Sequence, residues 1–111
     1  MFLLHITSRT EWEDAEPTGL YAPPSLETEG FIHLSQPEQV VWVANRFYRE
    51  QSGLVLLKIE PERLKAPLRY DPVPGDGVFP HLYGPLNTDA VVQVLPFEPE
   101  TDGSFSLPSL D

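Results

Sequence analysis

Proline sets the narrowest limits on how this chain can fold. Thirteen of its 111 residues are proline, and each fixes φ and removes a backbone donor. Only Pro37 falls within a helix that periodicity predicts, and there it occupies the first turn, where a missing N–H does no harm. The others flank apolar runs, as in "YAPPSLETEG" and "PVPGDG", and act as loop and edge punctuation. What this leaves is one compact, loop-rich module over residues 1–111, without repeats or an interdomain linker.

Between the prolines, hydrophobic patterning places the elements. Residues 2–7, "FLLHIT", read as a first strand that is apolar on both faces except at His5 and Thr7. Ser8 or Thr10 can N-cap a short helix through "EWEDAE", which Pro17 and Gly19 close. A helical turn is expected near Ser25, and Gly30 opens a second strand, "FIHLS". Ser35 as N-cap and Glu38 three residues later form a capping box around Pro37. Val40, Val43, Ala44 and Phe47 then recur at helical spacing, with Val41 and Tyr48 widening the stripe, so a helix is predicted over 36–50. "GLVLLKIE" is a third, nearly all-aliphatic strand, followed by a helical turn at "PERL" and an edge strand at "LRYDP". "VFPHLYG" and "DAVVQVLPFEP" supply two more strands, and "DGSFSLP" a last short edge. Strands outnumber helices, and the connections do not suit repeated βαβ units. The expected class is α+β: a mixed, mostly antiparallel sheet with a few packed helices.

Charge narrows the partners. Seven basic residues against seventeen acidic ones give a formal charge of −10, and no lysine or arginine follows Arg69. A nucleic-acid partner held by broad electrostatics is not expected, because a phosphate backbone needs clustered cations. No stretch approaches the roughly 20 apolar residues of a membrane span. The first residues lack the basic leader and apolar segment of a secretory signal, so a cytoplasmic address is the expectation. The absence of cysteine excludes disulfides, thiolate chemistry and Cys-based zinc sites.

The three histidines, His5, His33 and His81, carry the functional reading. Each falls inside a predicted strand, where alternate side chains share a face. Leu3, His5 and Thr7 share one; Phe31, His33 and Ser35 another; Phe79, His81 and Tyr83 a third. The opposite faces carry Phe2, Leu4 and Ile6, then Ile32 and Leu34, then Pro80 and Leu82. A buried imidazole without a partner costs about 1–3 kcal/mol. A single strand histidine is more often structural than catalytic, but three on matching mixed faces point to a shared concave site. No HxH or HExxH spacing aligns metal ligands, so no metal is expected. There is no GxSxG elbow and no glycine-rich phosphate loop. What remains is hydrogen bonding and stacking by histidine, tyrosine and phenylalanine, beside a helix N-terminus that favours anionic groups. That equipment suits a nucleotide-like ligand carrying a phosphate and an aromatic ring.

The segments "LLHITSRTEW", "YAPPSLETEGFIHLS", "QVVWVANRFY", "LVLLKIEPERL", "FPHLYGPLNTDAV" and "DGSFSLP" closely resemble a bacterial family known as domain of unknown function 952. That family in turn resembles the ADP-ribosyltransferases in fold, in particular the NAD-dependent RNA 2′-phosphotransferases. Their early "YHGT" strand is matched by "LHIT" and their "VHLS" strand by "IHLS". The resemblance implies that His5 hydrogen-bonds the nicotinamide-side ribose and that Thr7 supports the same pocket. It also implies that His33 sits near the ribose or pyrophosphate, with the phosphate approaching a helix capped by Ser35. Glu27, Thr28 and Glu29 stand where the phosphotransferases carry an arginine, so ordinary RNA phosphotransferase activity is not expected. His81 and Tyr83 have no counterpart in that comparison, and Arg46 is the basic residue assigned to a phosphate.

The expectation is therefore an ADP-ribosyltransferase-like domain that binds NAD or an ADP-ribosyl compound, as substrate, and transfers or hydrolyses it. His5, His33 and His81 are its catalytic candidates, and Thr7, Ser35, Tyr83 and Arg46 its ligand-binding ones. Two alternatives stand beside it: a non-catalytic module that binds a small ligand or a protein, and a His-ligated metal-dependent enzyme.

Overall fold

A computed structural model describes residues 2–110. Its first strand, β1 (Leu3–Ser8), and its aliphatic strand, β4 (Leu54–Ile59), pair antiparallel with His5 opposite Leu57, and β8 (Val91–Phe97) completes the sheet in the order β1-β4-β8. The sheet is buried on both faces, which is why β4 carries almost no polar residue. Val55, Leu57 and Ile59 face one apolar cluster with Leu3, Trp12 and Ile32, while Leu54 and Leu56 face another with Leu4, Ile6, Val40, Ala44 and Phe97. Stepping by two along the strand assigns each residue to its cluster.

The Ser8 hydroxyl accepts the Glu11 N–H at 3.1 Å and so caps α1 (Arg9–Ala15), which buries Trp12. A 3-10 turn, Glu16–Thr18, ends at Gly19 with φ 86°, a left-handed conformation that glycine adopts without a Cβ clash. Two short strands follow from distant parts of the chain, β2 (Leu20–Tyr21) and β7 (Leu86–Asn87), paired antiparallel. Between them in sequence lie a helical turn, α2 (Ser25–Thr28), and β3 (Ile32–His33).

The third sheet has the order β3-β6-β5, and β5 (Leu68–Val73) and β6 (Gly77–Leu82) form an antiparallel hairpin. It joins the first sheet through one isolated bridge, in which Leu4 and Ser35 exchange N–H···O bonds of 2.8 Å each way.

Helix α3 (Pro37–Phe47) packs Val40 and Ala44 against Leu4 and Ile6. Its start differs from the expectation. Ser35 is engaged in the bridge, so Gln36 is the N-cap, and its N–H donates to Gln39 Oε1 at 2.9 Å. Gln39 Nε2 also donates to the Val78 carbonyl at 2.7 Å, which ties the helix to β6. The helix ends at Phe47, short of residue 50, and Phe47 is 60% exposed, not in the core.

The α+β class holds, and every strand pairing is antiparallel. The expected single sheet is instead three small ones. "DGSFSLP" is not an edge strand; it is irregular chain held by Phe105, which stacks on Phe97 at 4.8 Å between centroids. Among the described residues no helix is long and apolar enough to cross a membrane.

Candidate functional site

An open cleft of about 940 Å³ lies among β1, α3, the chain around β3 and the β5–β6 hairpin, and His5, His33 and His81 all line it. Two structural facts bring them together. The β3–β6 register sets His33 directly opposite His81, and the Leu4–Ser35 bridge lays β1 alongside the chain that follows β3. The His33 and His81 ring centroids are 5.4 Å apart.

His5 is partly buried and has both ring nitrogens occupied. Nδ1 lies 2.6 Å from the His33 carbonyl oxygen and Nε2 lies 2.9 Å from the Tyr21 hydroxyl. A carbonyl only accepts, so Nδ1 carries the proton and Nε2 is left to accept from Tyr21. Burial brings the His5 pKa down to about 4, with the bond to His33 opposing that fall, so the ring is neutral at neutral pH. The Tyr21 and Thr7 hydroxyls are 3.0 Å apart. Since Tyr21 gives its proton to His5, the Thr7 hydroxyl donates to Tyr21. Burial raises the Tyr21 phenol to about 12, and the Thr7 bond opposes that rise. Thr7, Tyr21, His5 and the His33 carbonyl thus form one directed chain of donors and acceptors that fixes the cleft floor.

His81 is arranged differently. It is only 5% exposed, and its Nδ1 lies 2.9 Å from Asp71 Oδ2, the same oxygen that accepts the Tyr83 hydroxyl. These two bonds, Tyr83 first and His81 second, hold the Asp71 carboxyl below the usual aspartate range. Nδ1–H therefore donates to the carboxylate, and in the neutral ring Nε2 is left as the acceptor. Every fully buried side-chain nitrogen and oxygen among the described residues has a partner. Nε2 has no hydrogen-bond partner among the described residues, and His81 is part of the cleft lining. Phe31 stacks on this imidazole with centroids 4.0 Å apart and planes 17° from parallel, which locks the ring. A carboxylate–imidazole pair with an open Nε2 is the arrangement of a general base.

His33 is exposed, and its Nε2 lies 2.9 Å from Glu29 Oε2, an (i, i+4) pair across the end of α2. Of the ligand-binding candidates, Thr7 and Ser35 line the cleft. Ser35 is buried in the bridge and does not cap the helix, so the anion site expected at a Ser35-capped helix start is not built that way. Tyr83 is not part of the lining; it stands behind His81 with its hydroxyl on Asp71 and Arg69 5.1 Å from its ring centroid. Arg46 lies outside the lining too, with its guanidinium 5.4 Å from the Trp42 ring and 5.5 Å from the Phe47 ring.

Sequence reasoning missed Asp71, Tyr21 and Glu29. The signal for Asp71 lay in the hairpin: pairing "LRYDP" with "VFPHLYG" across the proline-glycine turn sets Asp71 opposite Phe79 and Arg69 opposite His81 on one face. Glu29 stood four residues before His33. Tyr21 had no local signal, because its partners on β1 are 14 and 16 residues away in sequence. Among the described residues no three His, Asp or Glu side chains converge to hold a metal ion, so the metal-dependent alternative finds no ligand set there.

The solved structures similar to this chain include the crystal structure of protein CC0527 from Caulobacter crescentus, 35% identical with a TM-score of 0.87 over 96% of this chain and 95% of that one. The solution NMR structure of CC0527 matches at 36% identity and a TM-score of 0.81, over 93% of this chain and 90% of that one. No curated protein matches the chain. The family model described as "Protein of unknown function (DUF952)" matches residues 6–94, a span that starts one residue after His5 and contains His33, His81 and Asp71. With that much of its length matched, the chain belongs to the DUF952 family.

Proposed function

We propose that the cleft is a binding site for a small, ring-bearing ligand and that His81, backed by Asp71, is its general base. The observation that carries this reading is an Asp71-bound, Phe31-stacked imidazole with an unpartnered Nε2 in the lining of a cleft of about 940 Å³. That volume lies within the usual range of small-molecule sites. In this reading His5 positions and stays neutral at neutral pH: both its nitrogens are spent, and its chain of hydrogen bonds holds the His33 backbone. His33 sits beside His81 and contacts the same ligand.

The sharper form of the proposal is an ADP-ribosyltransferase-like activity on NAD or another ADP-ribosyl compound. What supports it is the resemblance of "LHIT" and "IHLS", and the placement of His5 and His33 along one cleft. In that form the nicotinamide ring and ribose enter the cleft, and His81 takes a proton from the acceptor. Against it stands the lining, which contains no lysine or arginine to meet a pyrophosphate. That observation favours a second reading, a module that binds a small ligand without chemistry.

Isothermal titration with NAD and with ADP-ribose, together with an assay for released nicotinamide, separates the three. Saturable heat with nicotinamide release, lost in His81→Asn, supports the transferase form. Heat without release supports the binding module. No heat with either compound removes the ADP-ribosyl form and leaves the cleft open to other ring-bearing ligands.

A further inference from the structure

The geometry points to a small organic cation as the ligand of the cleft: a ring-bearing amine whose ammonium N–H donates to His81 Nε2 while its ring packs on the aromatic wall. This rests on the cleft being a small-ligand site and adds the charge that the ligand must carry.

The lining contains the carboxylates of Glu11, Glu29 and Asp76 and not one lysine or arginine, in a chain whose formal charge is −10. Walls of one sign focus the field inside a cleft, so a cation gains and an anion loses on entry. The hydrogen-bonding groups agree with the charges. His5 has no free nitrogen. His81 gives its Nδ1–H to Asp71 and His33 has its Nε2 on Glu29, so the nitrogen that a neutral His81 offers a ligand is an acceptor. The residue is 5% exposed and Nε2 is the one side-chain nitrogen without a partner; an N–H donor from the ligand satisfies it.

The third observation is aromatic. Phe31, Trp42, Phe47 and Phe79 belong to the lining, and ring faces attract cations electrostatically. The molecule already uses this property outside the lining, where the Arg46 guanidinium lies 5.4 Å from the Trp42 centroid. A carboxylate or phosphate in the same space meets ring faces and like charges, and no lysine or arginine of the lining neutralises it.

Three probes of one shape test the inference: benzylamine, cationic at neutral pH, neutral benzyl alcohol, and anionic benzoate. Each is titrated into the intact chain while backbone amide NMR shifts are followed. The expected result is saturable shifts at Phe31, His33 and His81 with benzylamine, about tenfold tighter than with benzoate, a gap of about 1.4 kcal/mol, and weakened by salt. Combining Glu11→Gln with Glu29→Gln is expected to weaken benzylamine about fivefold and to leave benzyl alcohol unchanged. Benzoate binding in the cleft as tightly as benzylamine, or a charge-neutralised variant that binds benzylamine undiminished, overturns the cationic preference and leaves the cleft as a ligand site. Shifts at the cleft with none of the three overturn both.

Discussion

Removing the His5 imidazole takes away two hydrogen bonds at once and strands a backbone carbonyl and a phenol. His5→Ala leaves the His33 oxygen and the Tyr21 hydroxyl without their partner. Water entering from the cleft recovers part of that loss, so a destabilisation of about 2–3 kcal/mol is expected, read from the urea midpoint at unchanged slope. Asp71 acts on His81 by fixing which nitrogen holds the proton. Asp71→Asn offers either a donor or an acceptor to Nδ1, so a single tautomer is no longer imposed. In the neutral ring, the imidazole ¹⁵N spectrum of the native protein is therefore expected to show an unprotonated Nε2, and that of Asp71→Asn a mixture of both forms. Equal Nε2 signals in the two proteins would remove Asp71 from the proposed base.

At the level of elements, the aliphatic run at β4, the Ser8-capped α1 and the apolar stripe of α3 were readable because local pattern and tertiary burial ask for the same residues there. Val40 and Ala44 satisfy both helical periodicity and the core. The cap of α3 was misplaced because Ser35 is the better local N-cap, yet its backbone is taken by Leu4, a pairing across 31 positions that no local rule contains. The histidine faces followed from strand alternation alone, whereas Asp71 and Tyr21 reach their partners only through the hairpin register and the β2–β7 pairing. The end of α3 offers a test of local strain. Glu50 has φ 67°, the one positive value among the described non-glycine residues, and its N–H donates to the Gly103 carbonyl at 2.9 Å. Glu50→Gly is expected to raise stability by about 0.5–1 kcal/mol, because glycine accepts the left-handed region without the Cβ penalty. Thermal unfolding measures it. Gly103 does not tolerate the reverse change: a Cβ there lies 2.4 Å from Glu50 Cγ.

For the whole molecule, these groups make stability depend on pH at both ends. His5 titrates at 6.5 when unfolded and at about 4 when folded. Above pH 6.5 both states are neutral at this ring and nothing is lost. From pH 6.5 down to 4 the unfolded chain takes up a proton that the folded one refuses, so stability falls, by up to about 3 kcal/mol at roughly 1.4 kcal/mol per unit and less where the cleft wets the ring. Asp71, held below its usual range by Tyr83 and His81, adds a further loss below its unfolded value of 3.8. Tyr21, raised to about 12 from 10.0, contributes stability that is present below pH 10 and lost as the pH climbs towards 12. Urea unfolding across the acid range checks the first of these. His5→Ala is expected to flatten the slope between pH 6.5 and 4, and an unchanged slope assigns the acid sensitivity to other groups.

Among the described residues one backbone bridge, the reciprocal pair of N–H···O bonds between Leu4 and Ser35, joins the β1-β4-β8 and β3-β6-β5 sheets edge to edge, and the His5 bond to the His33 carbonyl crosses the same seam. The histidines of the cleft are divided between those two bodies, with His5 on one side and His33 and His81 on the other. Any widening of the gap must therefore strain this seam, and the two amide protons there become a built-in gauge of breathing. Their hydrogen exchange should slow when an occupant clamps the walls together, whatever that occupant is.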